Sequence, residues 1–153
     1  MATLKERIDA ELKDAMRAKQ ELKLSVLRML KSAIKYKEVE PGASALDDAG
    51  VFQVIGSLIK QRRDSVEQFK AGGQAEMAAK EESEIAILQG YLPQQLTADE
   101  LRAEVQAAID ESGARSPKEM GAVMKILSPK LQGRAEGRAI SEEVKSQLAK
   151  LSS

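Results

Sequence analysis

The chain has 153 residues, room for one compact domain or two small helical ones, and its 24 basic residues are matched by 24 acidic ones. With no Cys and no His, it cannot form disulfides, offer a thiolate nucleophile or supply the usual zinc and di-iron ligand sets. Strong helix formers dominate and aromatic residues are few, so the composition predicts an all-α, multihelical fold.

The N-terminal part of the chain predicts four helices. Thr3 caps the first helix and Asp47 or Asp48 the third, while the second ends before Pro41 and the third stops at Gly72. The third and fourth helices are long and joined by a short glycine turn, so we expect an antiparallel hairpin that packs on the first two. The apolar positions that define these helices are Leu4, Ile8, Leu12, Met16, Leu24, Leu27, Leu30, Ile34, Val51, Val54, Ile55, Leu58, Ile59, Val66, Phe69, Met77, Ala78, Ile85 and Leu88.

A structural joint is predicted at Tyr91, Leu92 and Pro93. Pro93 lacks an amide hydrogen and pushes Leu92 toward an extended conformation, so the fourth helix cannot continue past it. The sequence therefore predicts one body at residues 1–93, containing the long hairpin, and another at residues 94–153. The apolar pair Tyr91 and Leu92 is expected to pack at the corner where the two bodies meet.

The C-terminal body predicts three shorter helices. Thr97, with a glutamate three residues later, forms a capping box that opens the first, and Gly113 closes it. The segment 116–119 starts the second with an N-cap serine followed by proline, Pro129 should kink or end it, and the third begins near Ser141. We expect a three-helix bundle around a small core of its own. Its apolar positions are Leu101, Val105, Ala108, Ile109, Met120, Val123, Met124, Leu127, Val144, Leu148 and Leu151.

The first twenty residues are charged throughout and contain no apolar segment of signal-peptide length. No later apolar run approaches the roughly 20 residues that are needed to span a bilayer. These features predict a cytoplasmic protein without a membrane partner. They leave its oligomeric state open.

A basic cluster in the C-terminal body is the better candidate for contact with nucleic acid. Two members, Arg134 and Arg138, fall in a glycine-punctuated loop over 132–138, where guanidinium groups and backbone amides could together face a phosphate. In the structural alternative, the glycines only allow a tight turn, while Arg134 caps a helix end or pairs with Glu136. The whole cluster comprises Arg115, Lys118, Lys125, Lys130, Arg134 and Arg138.

A second basic face is predicted on the second helix. Arg28, Lys31 and Lys35 recur there at three- and four-residue spacing and could follow a phosphate backbone. The alternative is a solvated face whose cations pair with the acidic segment Glu81–Glu84. Base stacking is not expected at either cluster, so recognition should depend on phosphates and overall shape.

Arg62 falls within the apolar stripe of the third helix, which predicts a structural ion pair with Glu81 or Glu84 on the return arm of the hairpin. Glu81 and Glu84 could also be metal ligands or an acid–base pair. Neither role is supported, because the chain has no His and no further carboxylate motif beside them. The glycine-rich segments GGQAEM and GRAEG do not follow a strand, so neither is a phosphate loop. We therefore assign no catalytic residue, no metal site and no cofactor.

Several sequence elements, taken in order, resemble the YqeY-like family. They are LRML around Arg28, KQRRDS from Lys60, the run EESEIAILQGYLP from Glu81 to Pro93, and MGAVM followed by GRAEG. The likeness covers nearly the whole chain, and its YLP, MGxVM and GRAEG elements are moderately specific. The family is related to the C-terminal tail of the GatB subunit of the glutamine-dependent tRNA amidotransferase. One departure is Glu136, where such proteins more often have Asp.

The resemblance implies a long α-hairpin followed by a three-helix bundle. It also implies a tail-like role in holding tRNA while the amidation chemistry takes place elsewhere. A label of carbon–nitrogen ligase activity with glutamine as amido-N donor would therefore apply by analogy. Our leading hypothesis is a non-catalytic protein that binds tRNA or another structured RNA. The alternatives are a module that docks on a translation-related protein without RNA contact and, with least support, an amidotransferase acting alone, since the chain lacks a nucleophile and its base.

Overall fold

In the computed structural model, which describes residues 3–152, the chain is all-α, as predicted, with no strand among those residues. It divides into two compact units, one ending at Leu92 and the other beginning at Pro93. No helix in the described range has both the length and the apolar composition to cross a membrane. The helices are α1 (Leu4–Arg17), α2 (Glu21–Glu38), α3 (Asp48–Ala71), α4 (Ala75–Gln89), α5 (Ala98–Ser112), α6 (Met120–Leu131) and α7 (Gly137–Ser152), with a 3₁₀ turn at Pro117–Glu119 before α6.

The N-terminal unit is built on the hairpin of α3 and α4, against which α1 and α2 pack. Asp47 begins α3 by accepting a hydrogen bond from the amide of Gly50 at 2.9 Å. Gly73, with φ of 72°, makes the turn into α4, a backbone conformation that favours glycine. The predicted apolar stripes meet in one core, whose most buried members include Ile8, Val26, Leu27, Leu30, Val51, Ile55, Ile59, Ile85 and Leu88.

Met16 does not lie in that core as predicted. Its side chain is 49% exposed, whereas that of Ala15 is fully buried. An α-helix turns about 100° per residue, so four-residue steps drift by about 120° between Leu4 and Met16, while Ala15 returns to within about 20° of Leu4. Met77 and Leu151, in end turns of α4 and α7, are also exposed rather than in a core.

The C-terminal unit packs α5, α6 and α7 around a second core, centred on Val105, Val123, Leu127, Val144 and Leu148. Its first helix begins and ends as predicted. The hydroxyl of Thr97 accepts from the amide of Glu100, the carboxylate of Glu100 accepts from the amide of Thr97, and Gly113 closes α5 with φ of 74°.

The start of the second helix in this unit differs from the prediction. Ser116 makes no capping hydrogen bond through its side chain, and the residues after it form the 3₁₀ turn before α6 begins. The carboxylate of Glu119 accepts instead from the amide of Arg115. Pro129 lies inside the last turn of α6, which ends at Leu131.

The last helix starts earlier than predicted, at Gly137 rather than at Ser141. The buried side chain of Ile140 belongs to the core of this unit, and its amide donates to the carbonyl of Glu136 at 3.1 Å. Ser141 therefore lies on the second turn of an established helix, and the loop after α6 is correspondingly shorter.

Candidate nucleic-acid interface

The loop after α6 holds Arg134 through both its backbone and its side chain. Its amide donates to the carbonyl of Leu131 at 2.9 Å, which completes the end of α6, and its carbonyl accepts from the amide of Leu96 at 2.9 Å. Its Nε donates to the carbonyl of Gln94 at 3.3 Å. Gly133, with φ of 78°, supplies the left-handed turn. Arg134 thus ties this loop to the segment before α5, so part of its guanidinium serves the fold.

The other cations predicted near this loop are placed differently from one another. Arg138 lies exposed in the first turn of α7, outside the loop. Lys130 forms an ion pair with the carboxylate of Glu104 on α5, at 3.0 Å. The predicted cluster is therefore divided, because one lysine is neutralised by an acid and one arginine serves as a tether.

Three exposed members of the predicted cluster have no acidic partner for their side chains among the described residues: Arg115, Lys118 and Lys125. Lys118 lies in the 3₁₀ turn before α6, and Lys125 lies in the second turn of α6, seven residues further along the chain. Gly121 lies between them, exposed, with open space where a side chain would begin. This cationic strip is open to the close approach of a bulky anion.

On the second basic face, Lys31 pairs with Asp9 of α1 at 2.9 Å. Arg28 and Lys35 are exposed and make no ion pair within the described part of the chain. The same holds for Lys13, one turn beyond Asp9 on α1. Lys13 and Arg28 each lie about one turn from the Asp9–Lys31 pair along their own helix.

The acidic segment on α4 pairs with α3, not with α2. Arg62, only 8% exposed, lies 3.4 Å from the carboxylate of Glu84, which confirms the predicted structural ion pair. The side chain of Lys70 lies 3.0 Å from Glu82. The alternative interpretation of the second basic face, with its cations paired to this segment, is wrong for Lys31, whose partner is on α1.

An aromatic side chain within the second basic face was missed from the sequence. Tyr36 lies between Lys35 and Lys37 and is 71% exposed, and Val39, one turn further on, is 69% exposed. The sequence signal that could have found it is an aromatic residue between two lysines and outside the apolar stripe of α2. The expectation of no base stacking at this face did not take Tyr36 into account.

Of the predicted joint, Tyr91 and Leu92 end the N-terminal unit and the proline after them begins the C-terminal one. Tyr91 is buried in the core of that unit and donates its hydroxyl to Glu11 of α1 at 2.9 Å. The guanidinium of Arg7 lies over its ring, 4.7 Å from the centroid, and donates to the carbonyl of Gly90 at 3.2 Å. The role of Tyr91 and Leu92 at a corner between the two bodies stays a prediction.

This contact perturbs two ionisable groups. Burial disfavours the charged form of Glu11, but hydrogen bonds from Arg7 and Tyr91 outweigh it and hold the pKa of that carboxyl below its ordinary value. Burial, and then the hydrogen bond to the Glu11 carboxylate, raise the pKa of the Tyr91 hydroxyl. Both shifts follow from a structural clasp between α1 and the end of the unit.

A surface groove of about 490 Å³ lies between α5 and α7. Acidic, basic and amide side chains share its lining with Leu151, and Gln147 crosses it to donate to the carbonyl of Arg102 at 3.0 Å. Because neither sign of charge prevails, the groove is a weaker candidate for phosphate than the strip formed by Lys118 and Lys125.

Comparison with known proteins shows one family. The profile of the family described as "Yqey-like protein" matches residues 5–148. A protein of Lachancea thermotolerans named "Altered inheritance of mitochondria protein 41, mitochondrial" is 38% identical over 99 residues, 65% of this chain and 52% of that protein. Proteins of the same name from Saccharomyces cerevisiae (strain YJM789) and Vanderwaltozyma polyspora are 35% and 37% identical, over 61% and 54% of this chain and 51% and 44% of their own. The chain therefore spans about half the length of these relatives.

The prediction of a cytoplasmic protein is wrong by this comparison, because the yeast relatives are named as mitochondrial proteins. That prediction depended on the lack of an apolar leader in the first twenty residues. An apolar leader directs secretion, whereas mitochondrial transit peptides are amphipathic and rich in Arg and Ser. The lack of an apolar leader therefore does not distinguish a cytoplasmic from a mitochondrial protein.

Proposed function

The chain belongs to the YqeY-like family, and on that premise we propose that it is a non-catalytic helical protein that binds tRNA or another structured RNA through phosphate contacts. The proposal draws on the resemblance to the GatB tail and on the exposed cations of the C-terminal unit. A part in tRNA-dependent amidation would then be that of a binding partner. The printed names of the yeast relatives make the mitochondrion the first compartment in which to look for it.

The observation that carries the proposal is the strip with Lys118 and Lys125, together with Arg115. These cations are exposed and unpaired within residues 3–152, although the whole chain has equal numbers of acids and bases. Clustered cations create a local positive potential even on a neutral protein. The one acid between Arg115 and Lys125, Glu119, already accepts a hydrogen bond from the amide of Arg115. Gly121 keeps the surface between the two lysines low, so a phosphate backbone can reach both of them.

The predicted residues differ in how many existing contacts their side chains would have to give up to bind RNA. Lys130 must leave Glu104 to bind a phosphate, and Arg134 must give up its bond to Gln94. Arg138 is exposed at the start of α7. We therefore assign the principal contacts to Arg115, Lys118 and Lys125, with Arg138 as an additional contact and Lys130 and Arg134 in supporting positions.

The test is the binding of tRNA across a salt series. For phosphate contacts, the logarithm of the binding constant falls linearly with the logarithm of salt concentration, and each lost contact flattens the slope by roughly one. The double variant Lys118→Gln/Lys125→Gln should flatten it by about two. The matched control is Lys70→Gln/Lys80→Gln, which removes the same charge from the α3–α4 hairpin, among acids of α4.

Two outcomes would overturn the proposal. An unchanged slope in the Lys118/Lys125 variant would show that this strip does not contact phosphates. Absence of any salt-dependent tRNA affinity in the unsubstituted protein would refute RNA binding itself. Partners that survive nuclease treatment of a lysate would then support the alternative of a module docked on a translation-related protein.

A further inference from the structure

We propose that the outer face of α2 is a second RNA contact, one that binds a single-stranded segment by stacking a base on Tyr36 while Arg28 and Lys35 hold adjacent phosphates. The inference rests on the proposed function only in taking RNA as the ligand. It assigns a different unit, a different kind of contact and an unpaired form of the nucleic acid.

Helical geometry places these side chains together. At about 100° per residue, Arg28, Ser32, Lys35 and Tyr36 fall within one arc of about 100° on α2, and Val39 is the C-cap residue that follows. Along the axis, Arg28 and Tyr36 are about 12 Å apart at roughly 1.5 Å per residue. All five residues are exposed. The face therefore presents an aromatic ring and two cations side by side over more than two helical turns.

Tyr36 is free to take part in stacking. It is 71% exposed, and no hydrogen bond or ring contact holds it in the described part of the chain. The other tyrosine, Tyr91, is buried and bonded to Glu11. The fold thus uses one of its two tyrosines as a core residue and exposes the other beside two lysines.

The charges around Tyr36 favour a nucleic acid over a protein groove as the occupant. Arg28 and Lys35 have no acidic partner in residues 3–152, and neither has Lys13 of α1. The carboxylate of Glu38 is already held by Lys5 and by the amide of Leu46. Proteins that bind single strands without sequence preference combine cations that follow the backbone with aromatic rings on which bases stack, and this face presents both kinds of side chain.

The experiment uses the intrinsic fluorescence of the full chain. There is no Trp, so in a Tyr91→Phe background Tyr36 is the single tyrosine. Addition of a short single-stranded oligouridylate should quench its emission, because a stacked base lies against the ring. Circular dichroism confirms beforehand that the background variant is folded.

Affinity then separates the stacking contact from the phosphate contacts. Tyr36→Ala should weaken oligouridylate binding by about 5- to 150-fold without changing the salt slope, since no charge is lost. Tyr36→Phe keeps the ring and should bind nearly as the unsubstituted protein does. Arg28→Gln/Lys35→Gln should instead flatten the slope by about 1.4, the value for two contacts to a single strand.

Two controls complete the design. Met77→Ala shortens another exposed apolar side chain, 49% exposed at the tip of the hairpin, and should leave binding unchanged. Lys118→Gln/Lys125→Gln should still bind oligouridylate with quenching of Tyr36, even though its tRNA binding is altered. The two sites can therefore fail independently.

The inference is overturned if Tyr36→Ala binds oligouridylate as tightly as the unsubstituted protein, or if binding leaves the emission of Tyr36 unchanged. A protein that captures the chain through Tyr36 and Val39 in the absence of RNA would likewise replace RNA as the occupant of this face.

Discussion

The buried ion pair between α3 and α4 allows the sharpest test of the N-terminal core. Arg62 is 8% exposed, and its guanidinium donates to the carbonyl of Leu58 at 3.2 Å, to the sulfur of Met29 at 2.8 Å and to Glu84 at 3.4 Å. Its Nε has no partner. A buried charge is thus balanced by one acid at a long distance, while a donor remains unsatisfied.

This geometry predicts strong non-additivity. Glu84→Leu leaves the guanidinium buried without an acid, which should cost about 3 kcal/mol, at the lower end of the cost of breaking a buried pair. Arg62→Met should cost about 1 kcal/mol, because the side chain of Glu84 is 14% exposed and can be rehydrated. The double variant packs two apolar side chains and should lie within about 1 kcal/mol of the unsubstituted protein. The coupling free energy then has a magnitude of about 3–5 kcal/mol.

The assay is urea unfolding followed by tyrosine fluorescence. Both tyrosines, Tyr36 and Tyr91, belong to the N-terminal unit, so the signal reports the unfolding of that unit alone. Glu82→Leu is the matched control, because its pair with Lys70 is exposed and should be worth less than about 1 kcal/mol. If the double variant proves as unstable as Glu84→Leu alone, the destabilisation comes from packing and not from an unbalanced charge.

Further predictions concern the clasp and the helix ends. Tyr91→Phe removes a hydrogen bond to a carboxylate and should cost about 1.5 kcal/mol at neutral pH in urea unfolding. The fold lowers the pKa of Glu11, so the ionised carboxylate stabilises the folded state fully above the unfolded pKa. This stabilisation is lost as the pH falls through the lower folded pKa. Glu11→Gln should therefore reduce the loss of stability at acid pH. Thr97→Ala should destabilise the C-terminal unit by about 1 kcal/mol, measured by amide hydrogen exchange. Gly113→Ala, at φ of 74°, should cost about 1–2 kcal/mol by the same measurement, whereas Gly121→Ala, inside α6 with open space around it, should stabilise by up to about 1 kcal/mol.

Local chemistry made most of the fold predictable from the sequence. The carboxylate of Asp47, the reciprocal bonds of Thr97 and the left-handed backbone of Gly113 act over three or four residues, so their effect can be read without tertiary information. The apolar core positions could also be predicted wherever they were spaced by the true helical period of about 3.6 residues. Met16 was misplaced because four-residue steps were extended beyond two turns.

Tertiary partners explain what could not be predicted. Ser116 had a strong capping signal, yet the chain there forms a 3₁₀ turn without that cap. For Arg134 the sequence left open a phosphate contact and a structural role, and the partner of its Nε, the carbonyl of Gln94, lies 40 residues away in sequence. No local pattern specifies such a contact, since it depends on which loop the fold brings near. Tyr36 is the opposite case, because its exposure needed only the observation that it lies outside the apolar stripe of α2.

The distribution of acids explains how a neutral chain can carry positive surfaces. Several acids form ion pairs between helices: Asp9 binds Lys31, Glu38 binds Lys5, and Glu104 binds Lys130. Each pair joins two helices of one unit and neutralises its acid. Cations on the outward side of α2 and α6, such as Lys35 and Lys125, are left without partners, and their field persists at short range although the net charge is zero. It follows that Lys130→Gln, which removes a cation and leaves the charge of Glu104 unpaired, should weaken polyanion binding by more than the loss of one contact, whereas Glu104→Gln should strengthen it.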